Sequence, residues 1–276
     1  CFSSFGARCA IKKSTFFAKE LVFTGHLVSK EGVKPDPRNT AALRDMKLPV
    51  CVKDIQSFLG LTGYYRKHVR GYATIAHPLQ DAARQGINVP SHFAAHPECE
   101  EAFDTLRKRL LSPEILAHPR FDLPFILATD ASAFGYGATL SQVHDGVERP
   151  IAFISRSLRP NEKLHSAYER ELGAVVWATR VLRHFLLGTK FTLYTDHKAL
   201  TNLRNNTSSR CLTWFALLSE YDYDIRHMPG RKLGHADGTS RLPLEQDVFA
   251  HVTAEIPSLN AHTRTRGAPP TGRLGA

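Results

Sequence analysis

The sequence predicts an α/β (α+β) domain with a mixed sheet, preceded by a smaller, mostly helical region. Three observations lead there. From Phe121 onward, three strand-like runs follow one another: "FILATDAS", "GYGATLSQV" and "RPIAFISRSL". Strands and helices then alternate, through "AYERELGAVVWATRVLRHFLLG", "FTLYTD", "RCLTWFALLSEY" and "YDIRHMPG". Ahead of Phe121 the apolar spacing is mainly helical instead.

The elements can be justified in order. In "LVFTGHLVSKEGV", two alternating runs flank Thr24-Gly25 and Gly32 closes the second, which predicts a short hairpin. The two prolines of "KPDPRN" break the chain before helical segments. Ile55, Phe58, Leu59, Leu61, Tyr64 and Val69 then recur roughly at helix spacing, with Lys67, His68 and Arg70 where the pattern turns polar. "PECEEAFDTLRKRLLS" carries acids in its first turn and bases in its last, as a helix dipole prefers. "HDG" at 144–146 marks a turn between the second and third strands, and Gly188 should stop the long helix. "HADGTSRL" should open a last helical turn. The stretch from about residue 244 lacks apolar periodicity and reads as a disordered tail.

At 276 residues the chain can hold one large or two ordinary domains. A net charge of +10 favours a polyanionic partner. The five cysteines (Cys1, Cys9, Cys51, Cys99, Cys211) are scattered and never spaced C-x-x-C. They argue against a zinc site or disulfide frame and for a reducing, intracellular compartment. No apolar run approaches the ~18 residues of a membrane span. Beginning at Cys1 with no signal-peptide pattern, the sequence reads as a fragment of a longer frame.

Four acids stand where a fold could gather them. Asp130 ends the first strand, Glu171 lies early in the long helix, Asp196 ends "FTLYTD", and Asp237 opens the last helical turn. Ala174 and Ala178, one and two turns beyond Glu171, form a small face that can lie close to a sheet. Clustered carboxylates repel and raise one another's pKa unless cations neutralise them. Oxygen-only ligands select hard ions such as Mg²⁺ or Mn²⁺, and a pair of these assists phosphodiester displacement. Taken singly, Asp196 also fits a turn or N-cap residue, and Glu171 a first-turn acid facing the helix dipole.

"TDAS…GYGATLSQ", "SAYERELGAVVWATRVLRHFLLGTKFTLYTDHKAL" and "EYDYDIRHMPGRKLGHADGTSRLP" together resemble the ribonuclease H domain of a gypsy-class LTR-retrotransposon reverse transcriptase. "FTGHLVSKEGVKPDP" and "IQSFLGLTGYYRKHVRGYATIAHPL" resemble the end of that enzyme's palm and its thumb, so the likeness covers roughly residues 9 to 243. It implies an end of palm at 1–35, thumb and connecting segment at 36–120, and a five-stranded RNase H-like domain at 121–243, followed by the tail at 244–276. It also implies a carboxylate tetrad of Asp130, Glu171, Asp196 and Asp237 holding two Mg²⁺, with Mn²⁺ able to substitute. Glu169 competes with Glu171, but the two point about 200° apart on a helix, so only one can face the site. His227 matches a mobile histidine near the scissile phosphate.

By the same resemblance, the partners are an RNA–DNA hybrid, primer-template nucleic acid and the rest of a retroelement polyprotein. The setting is intracellular, in a cytoplasmic particle or the nucleus. Ser132, His197 and Lys198 are candidate backbone contacts beside the site. Lys67 and Arg70 are candidate phosphate contacts of the thumb, with a solvated helix face as their plain alternative. Gly25 and His26 belong to a hairpin resembling a primer grip.

The sequence also departs from the family. No Asp-Asp pair occurs anywhere, so the polymerase motif Tyr-x-Asp-Asp is missing and DNA synthesis by this stretch is not expected. Leu233 stands where the family has Asn, and Gly238-Thr239 where it has Ala-Leu. Gly173 replaces the usual Leu or Ala and should weaken the long helix slightly. Two other readings stay open: a catalytically inert nucleic-acid-binding remnant, and an integrase- or transposase-type nuclease with the same core fold.

Overall fold

A computed structural model describes residues 15–84, 87–200 and 208–228. Asp237, its altered neighbours and the tail therefore lie outside the described residues.

The first hairpin is the start of a three-stranded antiparallel meander, β1 (Glu20–Phe23), β2 (His26–Ser29) and β3 (Gly32–Pro35). Phe23 pairs His26, leaving Thr24 and Gly25 as a two-residue turn with φ 43° and 71°. Positive φ at both positions is what a tight hairpin demands, and it suits glycine better than β-branched threonine. The third strand corrects the sequence expectation, which ended the pattern at Gly32. Besides its pairing with β2, this strand has a distant contact: Val33 exchanges backbone bonds of 2.8 and 2.9 Å with Leu116. Gly32 is required there, because a Cβ would lie 2.2 Å from the Leu116 carbonyl oxygen.

Asp36 caps α1 (Pro37–Thr40), accepting from the Arg38 N–H at 3.0 Å, with Pro37 at the first helical position. The helical region continues through α2 (Val52–Tyr64), α3 (Tyr72–Arg84), α4 (Val89–Ala95) and α5 (Pro97–Leu111). Ile55, Phe58, Leu79, Phe103, Leu106 and Leu110 form its core, where Phe58 and Phe103 ring centroids stand 4.3 Å apart.

The larger sheet runs β6–β5–β4–β7–β8, with β4 (Phe125–Ala131), β5 (Gly135–His144), β6 (Val147–Ser157), β7 (Lys190–Thr195) and β8 (Asp222–His227). The β4–β5 and β5–β6 pairs are antiparallel, while β7 lies parallel to both β4 and β8. The expected mixed five-stranded sheet is therefore present. Asp145 and Gly146 make the tight β5–β6 turn at φ 52° and 79°.

Phe125, Leu127, Leu140, Phe191 and Leu193 of the sheet pack with Leu172, Val175 and Val176 of α6 (Ala167–Val181) and with Cys211 and Leu218 of α8 (Ser209–Leu218). Ala174 and Ala178 are wholly buried, as their small size predicts.

Two expectations for the long helix need correction. It does not run to Gly188: α6 ends at Val181 and a short α7 (Arg183–Leu186) follows. At Leu182 the N–H reaches the carbonyls of both Ala178 and Arg180, tightening the turn. Leu182 and Leu186 thereby stay in the core, and the Phe185 ring comes within 6.0 Å of Phe125. Nor is Gly173 merely a weak spot. A Cβ there would meet the Tyr136 hydroxyl at 2.5 Å, so the glycine makes room for a tyrosine that is itself 2% exposed.

Candidate active site

Parallel strand ends set the site. β4 and β7 pair in parallel up to Ala128 and Tyr194, and Asp130 and Asp196 follow at these neighbouring strand ends, near enough for the charge of Asp196 to act on Asp130. Adjacent strands are ~4.8 Å apart, a spacing at which two unscreened carboxylates repel strongly. Glu171 joins them from the second turn of α6, where it is buried.

Burial, then the charges of Asp196 and Asp130, push Glu171 up to about 8. Asp130 is raised too, first by burial and then by Asp196, with Arg70 and the Ala131 N–H pulling it back. The Asp130 side chain keeps a solvent-facing side while the strand end crowds the rest of it, so its desolvation is partial. One oxygen of Glu171, Oε2, is buried with no hydrogen-bond partner.

Three like-charged carboxylates and a stranded oxygen are what a hard divalent cation relieves, and the donor set fits one. As placed, the acids feel one another's charge without closing on a common point. Among the described residues, no three His, Cys, Asp or Glu side chains converge closely enough to hold an ion. The fourth predicted acid, Asp237, is outside the described residues.

Glu169, the rival to Glu171, is engaged elsewhere. It completes a capping box with Ser166 and pairs with Arg210 at 2.8 Å. His227 sits at the neighbouring strand end, where its Nε2 donates to the Asp196 carbonyl oxygen at 3.0 Å.

Ser132 turns its hydroxyl inward: Oγ accepts from the Phe134 and Gly135 N–H groups at 3.1 and 2.9 Å. The His197 ring packs edge-on against Tyr168, with centroids 5.8 Å apart, and Lys198 beside it is exposed. Tyr168 had no signal in the sequence, since its side chain meets His197 only after the helix docks beside β7.

The remaining candidates are remote from the carboxylates, with one exception. Gly25 shapes the first turn, and its carbonyl accepts from the Tyr65 hydroxyl at 3.0 Å. His26, expected at a nucleic-acid surface, is instead a buried packing residue: its Nδ1 lies 2.8 Å from the Thr24 carbonyl, and its ring stands among Tyr64, Tyr65 and His68. Lys67 is exposed. The exception is Arg70, whose guanidinium acts on Asp130.

A mixed sheet in this strand order, with acids at two adjoining strand ends and on the packed helix, defines an RNase H-like fold. Comparison with known proteins agrees. Residues 96–193 match the family model of the RNase H-like domain found in reverse transcriptase. The chain is 38% identical over 245 residues to the retrovirus-related Pol polyprotein from transposon 297 of Drosophila melanogaster, covering 88% of this chain and 22% of the relative. It is 36% identical over 255 residues to the Pol polyprotein from transposon gypsy of the same organism, covering 88% and 24%.

In fold it is similar to the foamy viral protease-reverse transcriptase in complex with RNA/DNA hybrid, at TM-score 0.60 and 18% identity, covering 94% of this chain and 33% of that one. A second foamy viral structure, in complex with double-stranded DNA, gives TM-score 0.62 at 20% identity, covering 79% and 39%. The chain thus carries a reverse-transcriptase RNase H-like domain, and its homologues are gypsy-type and other LTR-retrotransposon Pol polyproteins, gypsy itself included. It spans about a quarter of the length of these relatives.

Proposed function

We propose that the chain is the nuclease-bearing part of a retroelement reverse transcriptase and cuts the RNA strand of RNA–DNA hybrids endonucleolytically. One observation carries the reading: Asp130, Glu171 and Asp196 are coupled by charge at one end of the sheet, with a buried Glu171 oxygen lacking a partner. Mg²⁺ or Mn²⁺, when bound, supplies the positive charge that lets these acids ionise together and offsets charge developing on a phosphodiester.

Asp130 and Asp196 would hold the cations from adjoining strand ends, Glu171 from the helix, and Asp237 is the proposed fourth donor. His227 is the proposed proton-transfer or product-release group, held at the strand end by its bond to the Asp196 carbonyl. Discrimination for RNA on the cut strand would come from contacts to 2′-hydroxyls along the minor groove. Ser132, His197 and Lys198 are the proposed backbone contacts beside the site, and Lys67 a further phosphate contact.

Polymerisation would need the rest of the polyprotein, because no Asp-Asp pair exists here. An intracellular setting belongs to the same proposal; among the described residues, no helix is long and apolar enough to cross a membrane. The test is an Mg²⁺-dependent cleavage assay on a hybrid with a labelled RNA strand. Internal cuts that vanish in Asp130→Asn support the reading. Binding without cleavage, indifferent to that change, would assign the chain to inert nucleic-acid-binding remnants instead.

A further inference from the structure

The stretch from Arg66 to Thr74 belongs to the helical region, yet it is fastened around the carboxylate site. Arg66 donates through Nη2 to the Ser155 carbonyl, and the Ala73 N–H donates to Ser155 Oγ at 3.0 Å. Ser155 pairs with Gly137, which pairs with Asp130, so this anchor lies on the same cross-strand row as the acid. A second anchor lies just beyond it. Thr74 Oγ1 is 3.3 Å from Ser132 Oγ, the hydroxyl that holds the turn two residues after Asp130. His77 adds a ring contact to Phe134 in the same turn, at 4.6 Å.

Between the two anchors the chain turns at Gly71, φ 66°, and the Arg70 carbonyl accepts from Arg109 Nη1 at 3.0 Å. The loop is therefore pinned from three directions, and it holds the half-buried Arg70 close enough to Asp130 for its charge to act there.

We propose that Arg70 is a substrate-contacting residue of the nuclease site: its guanidinium, held beside Asp130 by this loop, binds a backbone phosphate of the nucleic acid entering there. The inference rests on the nuclease reading for its setting, and moves Arg70 from a thumb contact to the cutting site. Guanidinium suits the task because it is permanently charged and offers a planar fork of donors to a phosphate.

The experiment uses the full chain and a labelled RNA–DNA hybrid. Binding is measured without divalent cations across 50–200 mM salt, and cleavage with Mg²⁺. Removing one phosphate contact lowers the slope of log K against log salt by about 0.9. Arg70→Gln should show that drop, with an unchanged melting temperature and cleavage lowered about tenfold, mainly through KM. Arg70→Lys should keep the slope and recover part of the cleavage. Should the Gln variant fail to fold, Arg70→Met, which keeps the aliphatic stem, takes its place. An unchanged slope in the neutral variant overturns the proposal whether or not the parent cuts. A slope that depends on Arg70 in a parent that never cuts supports the phosphate contact and overturns the nuclease reading alone.

Discussion

In the helical region, His26 and His68 face each other with ring centroids 5.4 Å apart; in the sheet region, Asp130, Glu171 and Asp196 share one strand end. Burial shifts pKa values in both places, His26 and His68 downward and Asp130 and Glu171 upward. Burial, then Lys67 and His26, holds His68 down to about 3, so it stays a neutral ring packed among aromatic neighbours. Burial and like charge push Glu171 up to about 8, and one of its oxygens remains unpartnered. The neutral histidines need no countercharge, although His26 Nε2 and both His68 ring nitrogens are likewise buried without a partner. The carboxylates must ionise to act as ligands, and only cations brought from outside make that favourable.

The largest expected effect breaks the second group. Asp130→Asn or Glu171→Gln should lower hybrid cleavage by more than about 100-fold, since even the outer partners of metal ligands cost 10–100-fold. Melting should be unaffected or raised, because each change removes a repelling charge. A matching loss of stability would mark the acids as structural instead.

Next comes the seat of the same helix. Gly173→Ala gains helix propensity but drives a methyl against the Tyr136 hydroxyl, and should cost about 1–3 kcal/mol in denaturant unfolding. Adding Tyr136→Phe should recover part of that loss. A neutral or stabilising Gly173→Ala would refute the steric account.

A pH series sharpens the comparison itself. Unfolded His68 titrates near 6.5 and folded His68 near 3, so between them the unfolded state binds more protons and stability rises with pH. Glu171 titrates near 4.5 unfolded and near 8 folded, so over that range the folded state binds more protons and stability falls with pH. Each slope has an upper bound of about 1.4 kcal/mol per pH unit. For these two groups together, stability should rise to pH 4.5, stay level to 6.5, and fall to 8. His68→Leu should flatten the acid limb, and Glu171→Gln the alkaline limb. Mg²⁺ should raise the melting temperature more at pH 8.5 than at pH 6, because it binds the ionised acids.

The smallest effect lies outside both groups. Thr24→Asn should stabilise the chain by less than about 1 kcal/mol, since Asn-Gly suits a turn with both φ positive. A loss would show that the threonine side chain has a role of its own.

Much of this was legible in the residues. Asp145-Gly146 announced its turn, the three consecutive strands fell where the alternation placed them, and α5 carried its charges at the proper ends. Such signals are local, so a window of ten residues contains them. The third strand of the meander, the helix break at Leu182 and the need for glycine at 173 were not legible. The last two depend on partners far along the chain, the Phe125–Phe185 contact and Tyr136, and the third strand, paired with β2, adds a distant bridge to Leu116. His26 shows the same limit in reverse, since a polar residue beside a turn looks exposed until Tyr64, Tyr65 and His68 close over it.

By itself the sequence determined the kind of fold, the family resemblance and which acids could be ligands, because strand alternation, helix periodicity and turn residues are written in neighbouring positions. Helical geometry allowed only one of Glu169 and Glu171 to face the site, and the family resemblance pointed to Glu171. Only the tertiary structure decided that the parallel register sets Asp130 beside Asp196, that Glu171 is driven to hold its proton, and that Arg70 reaches the site from another region. Those outcomes depend on distances across the sheet and on how much water packing excludes, neither of which a linear pattern specifies.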